Sequence, residues 1–298
     1  MGGIWKHAYI NANNINIHYV ADGSGGLVLL LHGFPEFWYS WRHQIPALSE
    51  RFRVVAPDLR GYNETDKPTG LKNYSTSVLV QDIVGLIDAL GEKKATIVGH
   101  DWGGAVAWSL AMMAPQSINK LVILNCPHPF ALTEAFLSMN ARQLQKSWYI
   151  FFFQQPEAPE KILSQNNFEF LKMMLIGSAV NKKAFNEEDT RRFIEAWSKP
   201  GALTASINYY RANMNPAQIM LMPRDQREKV TKKFPKVKCP TLVIWGENDA
   251  ALDKSLTFGM EKYVDGPYEI KYIPDCGHWV QQEAPDLVNR YLLEFLGR

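Results

Sequence analysis

The chain has 298 residues, 46% of them hydrophobic, and a formal charge of +2. That is enough apolar material for a sizeable core, and too little net charge to argue for nucleic acid or an anionic membrane as a partner. No 18-residue apolar run is present, the N-terminal Met-Gly-Gly-Ile-Trp-Lys has no signal-peptide core, and Lys6 stands where an acylation motif needs Ser or Thr. Cys126, Cys239 and Cys276 are odd in number and lack metal-ligand or CxxC spacing, so reduced thiols in a cytoplasmic protein are expected.

In chain order, Ile15 to Val20 alternates as a half-exposed strand does. Leu27–Leu31, Val54–Ala56, Thr96–Val98, Leu121–Leu124 and Thr241–Ile244 are short continuous apolar runs, the pattern of strands buried on both faces of a parallel sheet. Between them, Ser77 to Leu90 carries Val80, Ile83, Val84, Ile87 and Leu90 at helical spacing, with Gly91 placed as a stop. Strand–helix alternation predicts an α/β fold with a doubly wound, mostly parallel sheet. Residues 131–230 break the pattern with helices rich in Phe, Met and Gln. They predict a helical cap inserted into a core of residues 1–130 and 231–298, over the strand ends where such folds bind ligands.

The stretch Gly99-His100-Asp101-Trp102-Gly103 lies between the Thr96–Val98 run and an apolar helix. Small residues flanking one polar residue at a strand-to-helix turn mark a nucleophile elbow, in which one side chain is held exposed in a strained conformation. A lone aspartate before a helix would ordinarily be a cap. In an elbow, Asp101 is instead a carboxylate nucleophile that would give an alkyl ester when it attacks carbon. His32-Gly33-Phe34-Pro35 follows the Leu27–Leu31 strand and can aim the Phe34 N–H at the same point as the Trp102 N–H, making an oxyanion hole. Asp249 follows the Thr241–Ile244 strand. His278 lies on a loop after Tyr272-Ile273. Nucleophile, acid and histidine in that order, each at a strand end, is the order of the α/β-hydrolase triad. Glu247 and Asp253 are alternative acids, but strand-end placement favours Asp249. Asn125-Cys126-Pro127, the other place for an acid, offers no carboxylate.

With HGFPEFWYSWRHQ (32–44), DLRGYNETDKP (58–68), GHDWGG (99–104), WGENDAAL (245–252) and CGHWVQQEAP (276–285), the chain resembles the epoxide hydrolases of the α/β-hydrolase fold over nearly its whole length. Haloalkane dehalogenases share these motifs, so the cap decides between them. Tyr149 and Tyr210 stand where the resemblance places two ring-opening tyrosines, whereas Tyr209 reads as a core residue. Epoxide opening releases an alkoxide that needs a proton donor, which a phenol supplies; halide departure needs none. Phe34 stands where haloalkane dehalogenases carry Asn or Trp. Trp102 and Ala105 stand where fluoroacetate-type dehalogenases carry arginines.

The resemblance implies conversion of an apolar or aryl epoxide to a vicinal diol through an ester on Asp101, hydrolysed by water that His278 activates. It implies no metal or organic cofactor. Trp38, Phe151 and Phe152, with Trp41 and Phe153, are candidate walls of an apolar pocket. The partners expected are an epoxide and water, in a monomer or homodimer, with no nucleic acid or membrane. Haloalkane or haloacid dehalogenase is the nearest alternative. A non-catalytic small-ligand receptor on the same fold is the other.

Overall fold

The structure, a computed structural model, describes residues 5–223, 225–227 and 235–298. Eight strands form one sheet: β1 (Lys6–Ala12), β2 (Ile15–Asp22), β3 (Leu27–Leu31), β4 (Arg53–Pro57), β5 (Ala95–His100), β6 (Ile118–Leu124), β7 (Thr241–Gly246) and β8 (Tyr268–Ile273). Their order is β1-β2-β4-β3-β5-β6-β7-β8. The β1–β2 and β2–β4 pairs are antiparallel and the rest parallel. Asn13 and Asn14, at φ 49° and 60°, close the β1–β2 hairpin; asparagine tolerates that left-handed region better than most residues.

Burial follows the sequence patterns. Every residue of β3 and β7 is buried. Helix α1 (Gln44–Ser49) leads into β4, and α2 (Thr76–Ala89) buries Leu79, Val80, Ile83, Leu86 and Ile87 on one stripe. Helix α3 (Trp102–Met113), which follows β5 at mid-sheet, is buried almost all round.

From 129 to 223 the chain contains helices and turns only. These are α4 (Pro129–Leu137), α5 (Ala141–Lys146), α6 (Trp148–Phe153), α7 (Ala158–Lys172, interrupted at 165–168), α8 (Glu187–Trp197), α9 (Ala202–Asn213) and α10 (Pro216–Met220). The helical insert starts at Pro129, two residues before the expected boundary, because proline suits the first turn of a helix. The expected return to the core at 230/231 lies outside the described residues. Among the described residues, no helix is long and apolar enough to cross a membrane.

Candidate active site

Asp101 joins β5 to α3 at φ 49°, ψ −119°, a backbone state that costs about 1–3 kcal/mol for a residue with a Cβ. The turn is tight enough to require its glycines. A Cβ on Gly99 would lie 2.4 Å from the Gly103 carbonyl oxygen, and one on Gly103 would lie 2.1 Å from that of Leu31. Although Asp101 occupies the N-cap position, its side chain makes no capping hydrogen bond. Its Oδ1 accepts instead from the Phe34 N–H at 2.8 Å. The carboxylate is therefore turned away from its own helix toward the His-Gly turn. Trp102 is the first residue of α3, where the main-chain N–H needs no intrahelical acceptor.

His278 Nε2 stands 3.5 Å from Asp101 Oδ2, and its Nδ1 donates to Asp249 Oδ2 at 2.7 Å. Asp249, 1% exposed, is fully satisfied: Oδ1 accepts the N–H groups of Ala251 (2.7 Å) and Leu252 (2.8 Å), and Oδ2 also accepts Asn125 Nδ2 at 2.7 Å. The other two acids are occupied elsewhere. Glu247 pairs with Lys254, while Asp253 caps Ser255 and pairs with Lys146 at 3.4 Å.

Burial raises the pKa of each carboxyl and lowers that of the imidazole, but the partners outweigh it. The hydrogen bond and charge of His278, with His100 and the Phe34 N–H, hold Asp101 below the ordinary aspartate value. Asp249 is held low by His278, Asn125 and the Leu252 N–H. The charges of Asp249 and Asp101 and their hydrogen bonds push His278 well above the usual histidine range. Each of the three groups is thus biased toward its charged form by the other members of the site.

Tyr149 of α6 and Tyr210 of α9 lie opposite this floor, with ring centroids 5.8 Å apart. Both line two cavities that also share Asp101. One, of about 140 Å³, runs past Trp102, Leu132, Phe136, Ile150 and Leu252. The other, of about 210 Å³, runs past Phe34, Trp148, Met174, His278 and Trp279. Burial, and then the charge of Asp101, push both phenols well above the ordinary tyrosine range, so they remain protonated donors. Tyr209 is a core residue whose hydroxyl donates to the Arg60 carbonyl at 2.8 Å.

Three pocket candidates are placed elsewhere. Trp38 sits under β1, edge-on to Trp5 and His7, and faces an outer groove against α8. Phe151 and Phe152 line neither cavity, because α6 turns Tyr149, Ile150 and Phe153 inward. Phe153 packs behind both tyrosines, and Trp41 is wholly buried in the core. Asn125, read from sequence only as the absence of an acid, supplies a donor to Asp249. Its Oδ1 also accepts the Gly246 N–H at 2.8 Å.

The α/β-hydrolase fold family matches residues 26–285, and the chain belongs to it. Within it, the chain is 40% identical to epoxide hydrolase 4 of Homo sapiens, over 97% of this chain and 78% of that one. It is also 40% identical to the AB hydrolase superfamily protein YfhM of Bacillus subtilis, over 99% of both. The crystal structure of a Bacillus megaterium epoxide hydrolase with an inhibitor superposes with a TM-score of 0.88 at 33% identity, covering 98% of this chain and all of that one. The chain belongs to the epoxide hydrolases of this fold.

Proposed function

We propose that this protein opens an apolar or aryl epoxide to a vicinal diol through an ester on Asp101. The observation that carries the reading is the facing arrangement of one ionised carboxylate and two protonated phenols across shared apolar cavities.

Asp101 Oδ2 attacks an oxirane carbon, the C–O bond breaks, and Tyr149 or Tyr210 gives its proton to the departing oxygen. Oδ1, already on the Phe34 N–H, becomes the ester carbonyl. Esterification removes the Asp101 charge that holds His278 protonated, so the imidazole loses its proton, which restores the phenol. Neutral His278, oriented by Asp249, then takes a proton from water as that water attacks the ester carbonyl carbon. The Phe34 and Trp102 N–H groups receive the oxyanion. The leaving alkoxide takes the proton from His278, the diol departs, and the new Asp101 acid returns its proton to the imidazole.

A halide would need no phenol, so the test compares leaving groups. Wild type and Tyr149→Phe/Tyr210→Phe are each assayed with an aryl epoxide for diol and a bromoalkane for bromide. The expected result is diol formation that collapses in the double variant, with little bromide from either protein. Bromide release matching the diol rate and indifferent to the tyrosines would establish a dehalogenase instead.

A further inference from the structure

A buried polar network behind the nucleophile takes no part in the steps above. His100, at the end of β5 next to Asp101, is wholly buried, with its ring centroid 4.7 Å from that of His278. Its Nε2–H donates to the main-chain carbonyl of His278 at 2.8 Å, which turns Nδ1 to Glu36 Oε2, also at 2.8 Å. Glu36, 1% exposed, is met by further donors: the side-chain amides of Gln281 at 3.0 Å and Gln282 at 2.6 Å, and the Gly33 N–H at 3.4 Å. With donors on every side, the Glu36 carboxylate is held in place against the His100 ring.

The network continues outward. Gln282 Oε1 accepts from Arg42 at 2.6 Å. Arg42 Nε lies 3.1 Å from Asp189, which caps α8 together with Asn186. An unbroken chain of donors and acceptors thus runs from the cap to the backbone of the catalytic histidine.

We propose that His100 and Glu36 are positioning residues for His278 in ester hydrolysis, tied to the cap through Gln282 and Arg42. The bond from Nδ1 to Asp249 orients the ring of His278, and Glu283 accepts the N–H groups of Gly277 and Trp279 on either side of it. The His100 contact fixes the loop at its main chain, and it does so from the residue bonded to the nucleophile. Asp101 and Nε2 are therefore held to one frame. Ring opening uses Asp101 and the phenols, so it is largely spared when that frame loosens. Ester hydrolysis needs Nε2, water and the carbonyl carbon in line, and it is not spared.

The inference rests on the ester route proposed above, and the experiment separates the two. Glu36→Gln, Gln282→Met and, as a control, His278→Gln are studied as full-length enzymes with an aryl epoxide, by steady-state rates and by intact mass after single turnover. Glu36→Gln should form the ester at close to the wild-type rate and hydrolyse it roughly 10- to 10²-fold more slowly, the usual scale for a misplaced catalytic group. Hydrolysis then limits turnover, so kcat and KM fall together, kcat/KM holds, and ester accumulates. A merely damaged fold lowers kcat at constant KM and shows no ester. Gln282→Met leaves the His100–Glu36 contact in place and removes one donor to Glu36 together with the link to Arg42, so it carries the test if Glu36→Gln does not fold. It should give the same pattern at smaller size. Ester in His278→Gln together with unslowed hydrolysis in the folded variants overturns the positioning role alone. No ester in His278→Gln overturns the route, and this inference with it.

Discussion

The floor and the ceiling of the site are held by different forces. On the floor, Asp101, Asp249 and His278 are fixed by short directional hydrogen bonds, most of them from main-chain N–H groups or buried side chains. In the ceiling, Tyr149 and Tyr210 are held mainly by rings. Phe153 packs on both at 5.8 and 4.9 Å, and Trp102 meets Tyr210 edge-on at 5.0 Å. Ring packing sets the plane of a phenol and tolerates small shifts, whereas a network of hydrogen bonds does not. In the proposed route, ester hydrolysis repeats one geometry for every substrate, a task suited to a hydrogen-bonded floor. Ring opening would meet an oxygen whose position varies with the substituents, a task suited to a ceiling held by ring packing.

This contrast predicts a graded series of losses. Asp101→Asn removes the step that both halves serve, and turnover should fall roughly 10⁴-fold or more in freshly made protein. Full activity there would remove Asp101 from the mechanism. His278→Gln should slow ester hydrolysis about 10²- to 10⁴-fold while ring opening continues. Intact mass should then show protein plus one epoxide, and an inactive variant without that adduct would contradict the division of labour.

In the ceiling, each single Tyr→Phe change should weaken turnover and leave residual activity, because one donor remains. The double change should cost roughly 10²- to 10³-fold, the scale of one lost transition-state donor. A single change as damaging as the double would show that the two phenols are not interchangeable. Asn125→Ala is the gentlest probe: removing one donor from a carboxylate that keeps its main-chain partners should cost about tenfold, corresponding to about 1.4 kcal/mol. An effect equal to that of His278→Gln would mean that Asp249 depends on Asn125 far more than its other bonds indicate.

Electrostatics sharpen the comparison further. The Asp101 carboxylate helps to hold the His278 pKa up, so neutralising it should move that pKa down, toward or below the ordinary histidine value. Imidazole titration of Asp101→Asn by NMR, compared with wild type, reads the sign directly. An unchanged or raised value would break the link between esterification and release of the base.

The floor was legible in the sequence for a physical reason. Buried parallel strands need continuous apolar runs, and each run ends where Asp101, Asp249 and the Phe34 turn stand. The edge strands β1 and β8 were harder to read. Apart from Ala12 and Ile273, their residues, such as Glu269 and Lys271 in β8, are half-buried or exposed, so no unbroken apolar run marks them. The ceiling came from family likeness rather than periodicity, because a cap helix made of Trp-Tyr-Ile-Phe-Phe-Phe shows apolar character on every face. Which aromatics turn inward depends on where α6 docks, and Phe151 and Phe152 consequently line neither cavity. Trp38, outside α6, is drawn to a different groove by its packing on Trp5 and His7. Glu36 and His100 were inside quoted motifs, but their pairing spans 64 positions and becomes visible only when β5 lies beside the His-Gly turn.

The central claim is that the oxygen delivered to the diol comes from Asp101, and oxygen tracing in a single turnover tests it most directly. Enzyme in excess over an aryl epoxide is mixed in H₂¹⁸O, and both the diol and the peptide containing Asp101 are weighed. The account predicts an unlabelled diol and one ¹⁸O in the Asp101 carboxylate, because water attacks the ester carbonyl and not the substrate carbon. A labelled diol with an unlabelled Asp101 peptide would contradict it and show that water opens the ring directly.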